Sequence, residues 1–324
     1  MGHVVNRRNF LQAATGAALA AAGRAQATPI PIIDTHIHLF DPTRPEGVPW
    51  PPKDGPIPYQ PTLPSGFRQV SKSSGVVGAI EVECSPRVED NQWVLDVAEK
   101  DPNMVGTVGN LEPGQAGFTE NLERFHRNRL FRGIRYGYLW GRDFRAGIAK
   151  ADCIAGLKLL AEADLVLDTV GPHVEFLEDV VRVTDAVPNL RVVIDHLPRL
   201  ARPQEQQQGA RYDAAMRELG QRRQVYVKVS EVLNRVDGRV PYELSFYRPK
   251  LDELWETFGE DRLLYGSDWP NSDPLGTYEQ VFDIVDEYFT ARGREAAEKY
   301  FWRNSVAAYK WVRRAENQPA SSSG

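Results

Sequence analysis

The sequence predicts a closed parallel α/β barrel, a (β/α)8 TIM barrel in one domain with an additional C-terminal helix. Three observations carry this expectation. Eight apolar, β-branched runs alternate with amphipathic stretches of helical period. No Gly-x-Gly-x-x-Gly turn follows the first run, as it often does in an open doubly wound sheet. No linker or break in composition divides the 324 residues, and a barrel of this kind takes roughly 250 residues as a single domain.

In chain order, strands are expected over 30–38, 76–84, 104–111, 131–138, 164–170, 191–196, 225–229 and 263–268. Most are apolar through their middles, as strands covered on both faces should be. Helical patterns fill the intervals at 90–100, 117–128, 148–162, 174–186, 210–221, 246–258 and 276–291. A weaker strand is expected near 64–73, and the added helix over 294–314. The Pro-rich stretch from Pro42 to Pro64 follows the first strand, at the end of the barrel where active sites form. Too polar and Pro-broken for a helix, it reads as a long lid or pocket wall.

The barrel is expected over 28–316. Before it, Arg7-Arg8 precedes a weakly apolar run from Leu11 to Gly23, and Ala25-Gln26-Ala27 offers a small-x-small cleavage site. That run falls short of the roughly 20 apolar residues that span a bilayer. Residues 1–27 therefore read as a twin-arginine export signal, removed from a periplasmic or secreted protein. Residues 317–324 read as a disordered tail. A formal charge of −5 and an isoelectric point near 5.8 give no basic footprint for nucleic acid. After the leader no apolar run reaches membrane length, so the expected partner is a small-molecule substrate, with oligomerisation left open. Cys84 and Cys153 sit in apolar stretches and read as buried free thiols.

The chemistry concentrates at three strand ends. In Asp34-Thr35-His36-Ile37-His38, residues two apart share a face, so His36 and His38 project together toward the barrel mouth. Two imidazoles so placed either hold a metal ion or grip an oxyanion or carboxylate. Ile194-Asp195-His196 brings a third histidine to the same end. Tyr265-Gly266-Ser267-Asp268-Trp269-Pro270 ends the eighth strand with a carboxylate. Strand eight neighbours strand one in a closed barrel, so Asp268 meets His36 and His38 across the seam. There it serves as a general base toward water or as a ligand to a metal that activates water. Among supporting residues, Arg135 suits bidentate recognition of a carboxylate. Glu83 and Lys228 are assigned to a buried polar network, Lys228 as structure. Tyr138, Trp140 and Trp269 are candidates for the pocket wall.

Together these segments resemble the signature of the amidohydrolase superfamily, and in particular its amidohydrolase-2 branch of lactonase-type barrels. That branch includes sugar-acid lactonases, pyrone-dicarboxylate lactonase and sulfomuconolactone hydrolase. The resemblance covers about residues 30–315 and extends to Glu81-Val82-Glu83, Phe131-Arg132-Gly133-Ile134-Arg135 and Val227-Lys228-Val229-Ser230. It implies a hydrolase in which Asp268 takes a proton from water, while His36, His38 and His196 bind metal or polarise a carbonyl. Arg135, His173, Glu83 and Trp269 would then contact substrate. Two departures bear on the metal. The strand-four lysine of dinuclear members is replaced by a segment carrying Arg135, and Gly171 stands where mononuclear members place a strand-five histidine; His173 follows two residues later. The cofactor is therefore none, or a single divalent ion (zinc or manganese) on His36, His38 and Asp268. The leading expectation is a lactone hydrolase acting on a sugar-acid or aromatic-catabolic lactone. The alternatives are a metal-dependent decarboxylase or hydratase of the same branch, and a non-catalytic binding barrel.

Overall fold

The computed structural model describes residues 28–320; the leader expected at 1–27 lies outside them. Eight parallel strands pair in chain order: β1 (Ile32–Ile37), β2 (Val76–Val82), β3 (Met104–Gly109), β4 (Phe131–Arg135), β5 (Val166–Thr169), β6 (Arg191–Ile194), β7 (Val225–Val229) and β8 (Leu263–Tyr265). The barrel closes where the Asp268 amide donates to the His36 carbonyl and the His38 amide to the Trp269 carbonyl, both at 2.8 Å. Asp34 reinforces this seam by accepting from the Ser267 amide at 2.9 Å and from the Tyr278 hydroxyl at 2.9 Å. The fold is thus the expected (β/α)8 barrel.

Several strands end sooner than the sequence suggests. His38, His196 and Asp268 lie just past them, in the loops at the C-terminal end. His196 (φ +54°) and Asp268 (φ +61°) occupy the left-handed region, which an extended strand cannot pass through. Such backbone is uncommon outside glycine and clusters at functional sites.

The surrounding helices are α1 (Pro64–Val70), α2 (Asp90–Glu99), α3 (Phe118–His126), α4 (Phe144–Ile148), α5 (Ala151–Glu162), α6 (Val174–Ala186), α7 (Gln206–Gln221), α8 (Leu244–Phe258), α9 (Tyr278–Thr290), α10 (Arg294–Glu298) and α11 (Asn304–Tyr309). The segment expected as a weak strand at 64–73 is instead the helix α1. Pro64 sits in its first turn, where a missing N–H goes unneeded, and Phe67 packs on Trp269 with ring centroids 5.6 Å apart. The C-terminal helix also differs from expectation. A π-helical turn, Lys299–Arg303, interrupts it, and it ends at Tyr309 because Lys310 turns left-handed. The chain then crosses under the barrel, with the Val312 amide donating to the Val105 carbonyl at 2.9 Å. Part of the expected tail is packed as well: Gln318 is buried and its amide donates to the carbonyls of Val77 (3.0 Å) and Pro102 (2.9 Å). The domain therefore runs beyond 316.

Trp311, Tyr309 and Ala308 plug the lower end against Ile33, Val105, Val166 and Val193. Above this apolar floor the barrel interior turns polar. The loop after β1 folds back over the mouth, its ends joined by Phe40 and Thr62, and presents Trp50 to His38 with ring centroids 5.4 Å apart. This is the pocket wall expected from the Pro-rich stretch. Cys84 and Cys153 are both free; Cys153 is buried and Cys84 only partly so. No helix among the described residues is long and apolar enough to cross a membrane.

Candidate active site

A cavity of about 570 Å³ opens at the C-terminal end of the barrel, walled by Trp50, Glu83, Arg135, Tyr138 and Trp140, with His38, Asp195, His196 and Asp268 among its other lining residues. β1 carries a register shift between Asp34 and Ile37, and His36 within it and His38 just after it both face Asp268. His38 Nε2 stands 3.1 Å from Asp268 Oδ1, and His36 Nε2 stands 3.5 Å from the same oxygen. Asn271 donates to Asp268 Oδ2 at 2.6 Å. Burial pushes the Asp268 carboxyl up to about 7.

Each histidine is held at its second nitrogen. His38 Nδ1 donates to the Val82 carbonyl at 2.7 Å, which leaves Nε2 as a bare acceptor facing Asp268. Burial and the Arg135 charge hold His38 down to about 4, so this ring is neutral near pH 7. His196 Nε2 lies 3.2 Å from Arg135 Nη2 and its Nδ1 lies 2.8 Å from Ser230 Oγ. A guanidinium has donors only, so His196 accepts from Arg135 and orients it.

Below His36 lies a charged layer. Lys228, fully buried on β7, reaches Asp168 Oδ2 at 2.5 Å, Asp195 Oδ1 at 3.1 Å and His36 Nδ1 at 3.2 Å. Tyr309 from the floor donates to Asp168 at 2.9 Å. Asp195 also faces Arg135 Nε at 2.9 Å. Burial works to raise Asp195, but the charges of Lys228 and Arg135 outweigh it and hold the carboxyl well below its usual range.

These contacts revise several expectations. Lys228 and Glu83 do not share a network: Glu83 accepts from Trp140 Nε1 at 3.1 Å and from the Ser85 amide at 3.0 Å, whereas Lys228 bonds beneath His36. Trp269 is buried against Phe67 and is not part of the cavity lining. His173 is exposed at the start of α6 and packs on Tyr138 at 5.2 Å, outside the cavity. Both assignments fail for one reason: the turns after β8 and β5 aim these side chains away from the mouth. Asp195, Asp168, Asn271 and Trp50 belong to the site or its support and were not singled out. Of these only Asp195 had a visible signal, as the neighbour of His196 in a strand-end motif.

The spacing of His36 Nε2, His38 Nε2 and Asp268 Oδ1 resembles the edge of a tetrahedron, about 3.4 Å for metal bonds of about 2.1 Å. His38 is prepared as a ligand, its other nitrogen donating to a carbonyl in the manner of metal-bound histidines. His36 is not, because its other nitrogen faces an ammonium. At the end of β5, a Cβ on Gly171 would meet the Phe176 ring at 2.4 Å, so no further ligand has room there. In the set His36, His38 and Asp268, His36 is thus the member not prepared for a metal; His196, Glu231 and Asp268 form a second group with the spacing to hold an ion.

The family model described as amidohydrolase matches residues 33–311. Two L-fucono-1,5-lactonases are similar in sequence. That of Burkholderia ambifaria is 27% identical over 76% of this chain and 82% of its own, and that of Burkholderia multivorans 26% identical over 85% and 94%. A crystal structure of a Burkholderia multivorans amidohydrolase with bound zinc shares the fold. It has a TM-score of 0.75 and 22% identity, covering 86% of this chain and 99% of that one. With the family model spanning most of its length, the chain belongs to the amidohydrolase family of hydrolases.

Proposed function

We propose that the protein hydrolyses lactones, with Asp268 as the group that takes the proton from water. The observation that carries this is the buried Asp268 carboxylate at the cavity floor, its Oδ1 facing both His38 and His36. Likeness to two L-fucono-1,5-lactonases supports the reaction class. In the reading, ionised Asp268 removes a proton from a water lodged above it. The resulting hydroxide adds to the ring carbonyl, and the tetrahedral oxyanion is met by the N–H groups of Arg135 that Asp195 and His196 leave over. The carbon–oxygen ring bond then breaks, and Asp268 returns its proton to the departing alkoxide. His196 acts by holding Arg135, a narrower role than direct polarisation.

The cavity suits a neutral, hydroxyl-bearing ring better than a dicarboxylate. Arg135 is already paired with Asp195, and Arg199 with Glu231 at 2.7 Å, so neither cation is uncommitted. Trp50 and Trp140 offer flat apolar faces, while Glu83 and Glu231 offer acceptors to hydroxyls. A sugar-derived lactone is therefore the favoured substrate. Asp268→Asn should lower kcat by roughly 10³-fold with the fold intact by circular dichroism. Hydrolysis of sugar lactones at the parent rate by that variant would sink the mechanism, and turnover of carboxylated pyrones alone would sink the substrate class.

The Arg7-Arg8 leader supports a periplasmic or secreted location. Replacing both arginines by lysine should leave the full-length precursor in the cytoplasmic fraction; unchanged export would remove this part of the reading.

A further inference from the structure

We propose that Lys228 fixes His36 as the tautomer with its proton on Nε2, and so makes His36 a hydrogen-bond donor instead of a metal ligand. The argument starts from the ammonium. Lys228 offers three N–H donors and no acceptor. Three acceptors surround it: Asp168 Oδ2 at 2.5 Å, Asp195 Oδ1 at 3.1 Å and His36 Nδ1 at 3.2 Å. The Tyr309 ring lies 5.2 Å from the same nitrogen. Two buried carboxylates thus lie within 3.1 Å of the ammonium.

An N–H on His36 Nδ1 would point at that charge, so Nδ1 must present its lone pair. The one ring proton of a neutral His36 then sits on Nε2. That atom is buried, has no hydrogen-bond partner and lies 3.5 Å from Asp268 Oδ1. A protonated Nε2 has no lone pair for a metal. It does have an N–H directed at Asp268 Oδ1, the carboxylate that the proposed function makes the base.

The usual arrangement behind a metal-bound histidine is the reverse, with a carboxylate or carbonyl accepting from the second nitrogen. Here such a carboxylate is already in place. Asp195 Oδ1 lies 3.5 Å from His36 Nδ1. The ammonium stands beside both atoms, 3.1 Å from Asp195 Oδ1 and 3.2 Å from His36 Nδ1, and competes with that bond. Removing Lys228 should let His36 Nδ1 donate to Asp195 and turn the Nε2 lone pair toward His38 and Asp268. Lys228 is in this sense a positioning residue that decides whether the cluster is a metal site.

Two measurements test this, and neither reads lactone hydrolysis, so their failure is separate from failure of the proposed reaction. The first uses the unaltered protein labelled with ¹⁵N at its histidine rings, His36 being assigned by difference from His36→Gln. The expected spectrum shows a protonated Nε2 and an unprotonated Nδ1; a protonated Nδ1 overturns the proposal. The second is competition for Zn²⁺ against a chromophoric chelator. Lys228→Met is combined with Asp168→Asn, so that no unpaired carboxylate is left beside Tyr309. This double variant should bind Zn²⁺ at least about 10-fold tighter than the parent, the scale on which outer partners alter metal affinity. Unchanged or weaker binding by the folded variant overturns the claim that Lys228 withholds the ligand. If that variant does not fold, the ring spectrum of the parent still decides.

Discussion

The two ends of this barrel are built from opposite materials. At the lower end Tyr309 and Trp311 press aromatic surface against Ile33, Val105 and Val166, and the chain seals the opening with main-chain bonds. At the upper end two histidines, two arginines and two aspartates line a cavity of about 570 Å³. Between them lies one buried ionic layer, Asp168, Lys228 and Asp195, which Tyr309 touches from below and His36 from above. The contrast teaches how a barrel divides its labour. Burial of apolar surface below supplies cohesion, while the upper end carries buried charge and left-handed backbone that stability alone would not select.

That division can be broken from either side. The largest effect is expected at the top: Asp268→Asn should remove turnover by roughly 10³-fold with little change in melting temperature. A large drop in stability with activity preserved would reverse the assignment of the two ends. Next is the floor. Trp311→Ala should cost about 3–5 kcal/mol of stability, as for other fully buried large side chains, read from urea unfolding. The fraction still folded should retain its parent kcat; a matching fall in kcat would show that floor and site are mechanically one. The smallest effect falls on the rim. Trp50→Ala should raise KM about 10-fold with kcat nearly constant, because the indole contributes binding surface but no reacting atom. An equal loss in kcat would mean that Trp50 also holds His38 in its working orientation.

Much of the architecture was legible because it follows local periodicity. The β-branched runs at Val76–Val82 and Val225–Val229 are strands since nothing in them competes with extended backbone. His36 and His38 were legible for the same reason, two residues apart at a strand end. The misjudged elements are those where a side chain's direction or a distant contact decides. The segment 64–70 carries weak strand character, but Pro64 and the packing of Phe67 on Trp269 make it a helix. His173 and Trp269 lie near the right strand ends, yet the loop path turns them away from the mouth. The last helix is shorter than its periodicity suggests because Lys310 turns left-handed to send Trp311 under the barrel.

The sequence by itself determined the barrel, its order of strands and the gathering of His36, His38, His196 and Asp268 at one end. Those follow from residue type and spacing, which act over a few positions. Only the tertiary structure decided what each group does there. Asp195 and Lys228 are 33 residues apart in sequence and Asp168 is a further 27 before Asp195, so no spacing rule announces that they form one layer. Their meeting sets the charge under His36. That charge, acting over about 3 Å in a dry interior where Coulomb forces are strong, determines which nitrogen of His36 bears the proton, and with it whether three well-placed ligand types make a metal site.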